Sequence, residues 1–253
     1  MTTGNMTAGP LFPIAVKDTS LPALDGAGRY VVARNGLFLE RNTPLFSAGV
    51  PLDGEIPGLA AHQPWLTLRL PRLPEVLLEQ AMGFFRSVYR LWRGEAILII
   101  FYAPPLDDRA GRYALVAPPQ LLHGRRHSGR FWADLRLDYG ACKSPGAGFI
   151  RLGSFHSHAE VGPAHSGVDA HDELYEAGLH LTAGYVDSRF PEFAAAFVVG
   201  RTRFQVSVES VLPGFRSPRP APAAWLAQVT IACDRACLAR PIAGARRGSS
   251  GRV

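Results

Sequence analysis

The chain has 253 residues, 47% of them hydrophobic and 19% charged, with 27 basic side chains against 21 acidic ones and a formal net charge of +6. This composition suits one or two folded domains and excludes the low-hydrophobicity, high-charge signature of a disordered chain. The longest unbroken apolar run, residues 96–103, is far short of the ~20 residues that a membrane-spanning helix needs.

The charge is concentrated at one end. Residues 213–253 hold seven arginines and a single acid, Asp234, and so account for the whole net charge; the rest of the chain is formally neutral. Three cysteines, Cys142, Cys233 and Cys237, argue against a disulfide scaffold and for a reducing, cytoplasmic setting. The apolar stretch Leu11–Val16 is broken by Pro13 and lacks a basic flank, so no secretory leader is expected.

In chain order, the first patterned segment is residues 29–40, where two apolar-rich runs flank Asn35-Gly36. That dipeptide suits the positive φ angles of a tight turn, and the segment reads as a β-hairpin. Residues 41–72, with prolines at 44, 51, 57, 64 and 71, read as loop. From Pro74 to Arg93 the residues Leu77, Leu78, Ala81, Met82, Phe85, Val88, Tyr89 and Trp92 recur at helical spacing, with Pro74 and Glu75 in the first turn and Gly94 at the end. Ala96–Phe101 reads as a strand buried on both faces. Further strands are expected at 113–116, 130–139, 149–158, 179–186, 194–199 and 203–211, with a short helix at 169–177. The few helices among many strands favour an α+β fold. Pro213, Pro218, Pro220 and Pro222 read as a linker, 223–238 as a short helix, and 243–253 as a disordered Gly/Ser/Arg tail.

The chemistry-bearing segment is Gly153–Asp169. Residues two apart in a strand share a face, so His156 and His158 present two imidazoles side by side. After seven further residues, Ser166-Gly-Val-Asp169 has the form of a helix start capped by Ser166; that turn could return the Asp169 carboxylate toward the histidines as a third ligand. His, His and Asp with an open fourth position make a catalytic zinc arrangement. The plainer alternative is a set of polar residues at a strand end.

The string H-x-H-x(7)-S-x-x-D matches the JAMM motif and resembles the JAB/MPN metallopeptidase family over roughly residues 74–211. Within that family, His-Ser-His (156–158), Asp-x-x-Asp-Glu (169–173), Gly-Leu-His-Leu (178–181) and Tyr-Val-Val-Ala-Arg-Asn-Gly (30–36) are similar to the bacterial PRTRC-system group. The resemblance implies a cytidine-deaminase-like mixed β-sheet flanked by helices over 73–212, with residues 1–72 an N-terminal hairpin extension and 213–253 a tail. It implies one Zn²⁺ per chain held by His156, His158 and Asp169. Glu95, between the long helix and the buried strand, would be the general base, and Ser166 would donate to the oxyanion. The implied reaction is hydrolysis of a peptide or isopeptide bond at the C-terminus of a ubiquitin-like protein. The implied partner is a ThiF-like, ubiquitin-activating-type protein of the same gene cassette. Ala159 departs from the family, where proline often follows the second histidine.

Other features point less far. Glu75 and Glu79 lie on the helix's expected exposed side, and Glu160 reads as a loop residue. His165, His171 and His180 flank the site as packing or surface residues, with lining of the cleft an open alternative for His165 alone. His158-Ala-Glu160 matches half of a zinc-deaminase signature, but Cys233 and Cys237 lack the C-x-x-C spacing and preceding proline it requires. Two rival readings stay open: a non-catalytic MPN-type interaction module of a PRTRC plasmid or mobile-element system, and weak nucleic-acid binding through the arginine-rich tail.

Overall fold

The structure is a computed structural model that describes residues 12–53, 61–106, 110–127, 130–164, 174 and 176–233. Strands account for 44% of it and helices for 13%. Among the described residues the strands form three sheets, accompanied by one long helix and two single-turn helices. This corrects the expected α+β fold with a sheet flanked by helices: the protein is mostly β. The expectation erred because proline-containing segments with short apolar runs pair as strands, and because residues 223–233, within the helix expected over 223–238, form one turn followed by a strand; 234–238 lie outside the described residues. The helix expected at 169–177 falls largely outside the described residues. No helix among the described residues is long and apolar enough to cross a membrane.

The chain divides into two compact units. The smaller comprises Met1–Leu70 with Val199–Phe204. Its sheet runs β1-β2-β3-β4-β5, with β1 at Ile14–Val16, β2 at Gly28–Ala33, β3 at Gly36–Asn42, β4 at Phe46–Asp53 and β5 at Trp65–Leu68. The β2–β3 hairpin forms where the sequence predicts one, but the turn is shifted by one residue: Ala33 pairs with Gly36, so Arg34-Asn35 make the turn, Gly36 opens β3 at φ 128°, and Asn35 does not take the positive φ expected of it. What was read as a loop-rich extension adds three strands. Pro51 is tolerated inside β4 because β5 pairs only with Phe46–Gly49, so its missing N–H lies beyond the last β5 partner.

Glu40 is buried at the heart of this sheet. Its carboxylate takes the Arg29 Nε–H at 2.6 Å and lies 3.0 Å from His62 Nε2. Lys17 Nζ donates to His62 Nδ1 at 2.8 Å. An ammonium can only donate, so this imidazole is held neutral, with its lone pair on Nδ1. Burial pushes the His62 pKa below its ordinary value and the Lys17 charge lowers it further; Glu40 opposes both. A depressed histidine pKa means that the unfolded chain binds the proton more readily. The stability this contact contributes is therefore complete above about pH 6.5, the unfolded-state value, and is lost as pH falls through the lower folded-state pKa. Urea unfolding followed between pH 7.5 and 5 should show that loss, and His62→Gln should flatten it; an unchanged slope in the variant would assign the pH dependence to other groups.

The larger unit comprises Pro71–Val198 and Gln205–Val253. Its long helix, α1, spans Glu75–Trp92 and buries Leu78, Ala81, Met82, Phe84, Phe85 and Val88 along one face. Arg93, not Gly94, takes the left-handed capping conformation, at φ 56°, and its N–H donates to the Tyr89 carbonyl. Gly94 is required for space: a Cβ there would stand 2.9 Å from the Ala133 Cβ. Five strands of the principal sheet run in the order β12-β11-β10-β6-β7, with β6 at Ile97–Ala103, β7 at Arg112–Val116, β10 at Ile150–Ser157, β11 at Gly178–Gly184 and β12 at Glu192–Val199. Every residue of β6 and of β11 is buried. Phe85 of α1 meets Phe155 of β10 edge to face, so the helix covers the sheet face opposite to the one that His156 occupies. A second sheet, β14-β8-β9, contains β8 at Gln120–His127, β9 at Arg130–Tyr139 and β14 at Val229–Cys233. Arg125-Arg126-His127 belongs to β8. The strand expected over 203–211 is instead β13, Thr202–Gln205, followed by a one-turn helix, α2, at Val208–Val211.

Residues 213–222 do not behave as a free linker. They run across α1, with Arg219 N–H donating to the Glu79 carbonyl at 2.9 Å and Arg219 Nε paired with the Glu79 carboxylate. Arg216 Nε reaches Glu75 at 3.0 Å, and Trp225, in the single-turn α3 at Ala223–Leu226, packs edge to face on Phe84. Glu79, expected on the exposed side of the helix, is therefore buried beneath this strap. Gly83 permits the crossing, because a Cβ there would lie 1.7 Å from the Arg219 carbonyl oxygen. The expected disordered tail at 243–253 lies outside the described residues.

Candidate metal centre

His156 and His158 come from the C-terminal end of β10, where the strand runs between β6 and β11. His156 pairs with Ile97 of β6 on one side and with Thr182 of β11 on the other. The pleat points Ser154, His156 and His158 to one face. On the neighbouring strand, His180 and Thr182 share that face and are fully buried. The result is a polar stripe inside an otherwise apolar sheet.

The two candidate ligands meet as the spacing predicts. His156 Nε2 and His158 Nε2 are 3.1 Å apart. Two nitrogens at ~2.05 Å from one tetrahedral zinc would be about 3.3 Å apart, so the pair is set at a separation that a metal can bridge. His158 Nδ1 is 3.0 Å from the Gly162 carbonyl oxygen. A carbonyl only accepts, so Nδ1 carries the proton and Nε2 offers its lone pair, the tautomer a ligand needs. Thr182 Oγ1 lies 3.4 Å from His156 Nε2. The two imidazoles are spaced as one edge of a tetrahedral zinc site would be.

The loop after His158 is tied down at several points. Ala159, at φ 40°, is in the left-handed region. Its carbonyl accepts the Val186 N–H, and the Val161 carbonyl accepts the Tyr185 N–H, both at 2.9 Å. Glu160, expected to be a plain loop residue, accepts a hydrogen bond from the Tyr89 hydroxyl, and Arg93 Nη1 stands 3.4 Å from it. These contacts fix the carbonyl of Gly162, and through it the orientation of His158.

Glu95 follows the Arg93-Gly94 end of α1 and precedes β6. Continuing the β6–β10 register from the Ile97–His156 pair places Glu95 across from His158, on the same face as both histidines. Ser166 and Asp169, the other two members of the motif, lie outside the described residues, as do His165 and His171. Among the described residues there is no cluster of three or more His, Cys, Asp or Glu arranged to hold a metal; the third ligand expected from sequence is not one of them. His180 is a packing residue: its Nε2–H donates to the Glu176 carbonyl at 2.8 Å, and its Nδ1 accepts from Ser154 Oγ at 3.0 Å. Cys233 ends β14, and Cys237 lies outside the described residues.

No protein-family model matches the chain, and no curated protein matches it. Among solved structures, protein DSY2949 from Desulfitobacterium hafniense, determined in solution, is similar at a TM-score of 0.28 and 16% identity, over 51% of this chain and 86% of that one. A likeness of that size bears on neither fold nor function.

Proposed function

We propose that this protein is a zinc-dependent peptidase of the JAMM kind, hydrolysing a peptide or isopeptide bond at the C-terminus of a ubiquitin-like protein. One observation supports the reading above all: the two imidazole Nε2 atoms 3.1 Å apart, with the His158 tautomer fixed by Gly162. His156 and His158 would hold the metal together with Asp169, which the sequence motif supplies. Zinc in such a site contributes Lewis acidity and lowers the pKa of a bound water toward neutrality. Glu95 accepts the proton of the attacking water on a carboxylate oxygen and delivers it to the amine as the C–N bond breaks, so that the acid product keeps the hydroxyl and the amine leaves protonated. Ser166 donates to the carbonyl oxygen that gains negative charge.

The test separates binding from chemistry. Purified protein should carry about one zinc per chain by elemental analysis. It should cleave an internally quenched peptide library or a matching library of Lys-ε-linked isopeptides. Glu95→Gln should keep the zinc and lose activity by roughly 10²–10⁴-fold, the usual contribution of a general base. Full activity in Glu95→Gln would remove Glu95 from the mechanism. Absence of zinc from protein supplied with it would leave the interaction-module reading in its place.

A further inference from the structure

The segment Gly94–Ile97, which carries Glu95, is gripped from both sides by side chains that a strand would not require. Ala96 N–H donates to Ser157 Oγ at 3.0 Å, and the Ala96 carbonyl accepts Ser157 N–H at 3.0 Å. In an ordinary antiparallel ladder, the Ala96 N–H would seek the carbonyl of residue 157; here the hydroxyl of the residue between the two candidate ligands takes it. On the opposite side, β7 pairs with β6 only from Ile99 onward, which leaves Ile97 without a strand partner there. The Gln120 side chain fills that role. Its Oε1 accepts the Ile97 N–H at 3.0 Å, and its Nε2 donates to the Ile97 carbonyl at 3.0 Å and to the Pro118 carbonyl at 3.3 Å. Gln120 and Ser157 are both almost fully buried, where unmade hydrogen bonds are costly. Gly94, packed against Leu122 and Ala133, closes the remaining side.

We infer that Gln120 and Ser157 are positioning residues for Glu95. They form a brace that replaces strand pairing at the head of β6 and fixes the backbone from which the carboxylate projects toward the His156–His158 pair. The inference rests on the proposed zinc peptidase reading. It adds that the general base is held by an amide from a different sheet, so placement of the base depends on β8 as well as on β10. A carboxylate displaced by a fraction of an ångström still ionises but meets the water poorly, so the effect falls on turnover and leaves substrate binding alone.

The test uses the full chain loaded with zinc and the two quenched libraries. Gln120→Ala and Ser157→Ala should each retain zinc and an unchanged KM while kcat drops about tenfold or more; Ser157→Thr, which keeps the hydroxyl, should recover most of the loss. Leu78→Ala, a buried residue in the first half of α1, serves as the control for general destabilisation and should lower the melting temperature with little change in kcat below it. Independently of activity, amide hydrogen exchange at Ala96 and Ile97 should be slow in the parent and in Glu95→Gln. Exchange should accelerate by about tenfold at Ile97 in Gln120→Ala and at Ala96 in Ser157→Ala. Unaltered exchange in both variants, or a kcat loss no larger than that of Leu78→Ala, overturns the positioning role. If the parent holds zinc but cleaves neither library, the peptidase reading fails, and the exchange rates alone decide whether the brace exists.

Discussion

On the proposed zinc reading, replacing His158 by alanine is expected to weaken metal binding sharply. A structural zinc with four ligands is held by about 10–16 kcal/mol, or about 3 kcal/mol per ligand, so losing one imidazole should weaken binding by roughly 10²-fold or more. His156→Ala should do the same, because in that reading the two Nε2 atoms would form one edge of the site. The loss should be specific: His180→Ala removes an imidazole from the same polar stripe, yet His180 is occupied by Glu176 and Ser154, so that variant should keep its zinc while losing stability. Competition against a chromogenic chelator measures all three affinities on one scale. Equal zinc affinity in His158→Ala and the parent would mean that the metal, if bound, sits elsewhere. Hydrolysis should disappear together with the zinc, in contrast to Glu95→Gln, where the two part company.

The second large effect concerns Gly153, three residues before His156. β10 and β11 run parallel here, with Gly153 paired to Leu179, and a bulge between Arg151 and Gly153 shifts the register against β6. A Cβ at 153 would stand 1.9 Å from the Leu179 carbonyl oxygen; at Gly178, across the same junction, it would stand 1.9 Å from the Leu152 oxygen. The obstacle is backbone on each side, which cannot swing aside as a side chain can. Gly153→Ala should therefore separate the two central strands locally and leave buried N–H and C=O groups unpaired, at a cost of about 3 kcal/mol or more. Gly146→Ala, where a Cβ meets nothing within 4 Å, should cost less than about 0.5 kcal/mol. Chemical denaturation of the two variants supplies the comparison; a Gly153→Ala loss below about 1 kcal/mol would contradict the close approach. Any Gly153→Ala protein that folds should also bind zinc more weakly, because the bulge sets where His156 and His158 emerge.

What the sequence revealed and concealed follows from the range of the interactions. α1, β6 and the histidine pair are legible because each is written in local periodicity: 3.6 along the helix, continuous apolarity in a strand buried on both faces, and alternation at His156 and His158. β4 and β5 of the smaller unit were hidden because prolines at 44, 51 and 64 mark loops on average; Pro51 is harmless only because β5 ends short of it, a fact of pairing and not of composition. The parallel pairing of β14 with β8 joins residues more than one hundred positions apart, and nothing in either segment announces the other. Gln120 follows Pro118-Pro119, and no local pattern singles it out; its role as a substitute strand emerges only once the β6–β7 pairing is seen to stop at Ile99. Ser157 was visible inside the motif, but its hydroxyl's partner was not. Ser166 and Asp169 remain expectations of the motif.

The strap over α1 also sets an order of events. Phe84 and Glu79 lie beneath residues that follow them by about 140 positions, so ribosomal synthesis exposes that side of the helix long before its cover exists. The larger unit can close only after Trp225 has been made, and contacts of such long sequence separation form late and slowly. The C-terminal segment is in this sense the last step of assembly, and a chain cut at residue 213, a natural place to remove an arginine-rich tail, would be left with an uncovered helix and an unpaired Glu79. Any question about the basic residues after Cys233 is properly asked of a chain ending there, which keeps β14, the last strand among the described residues.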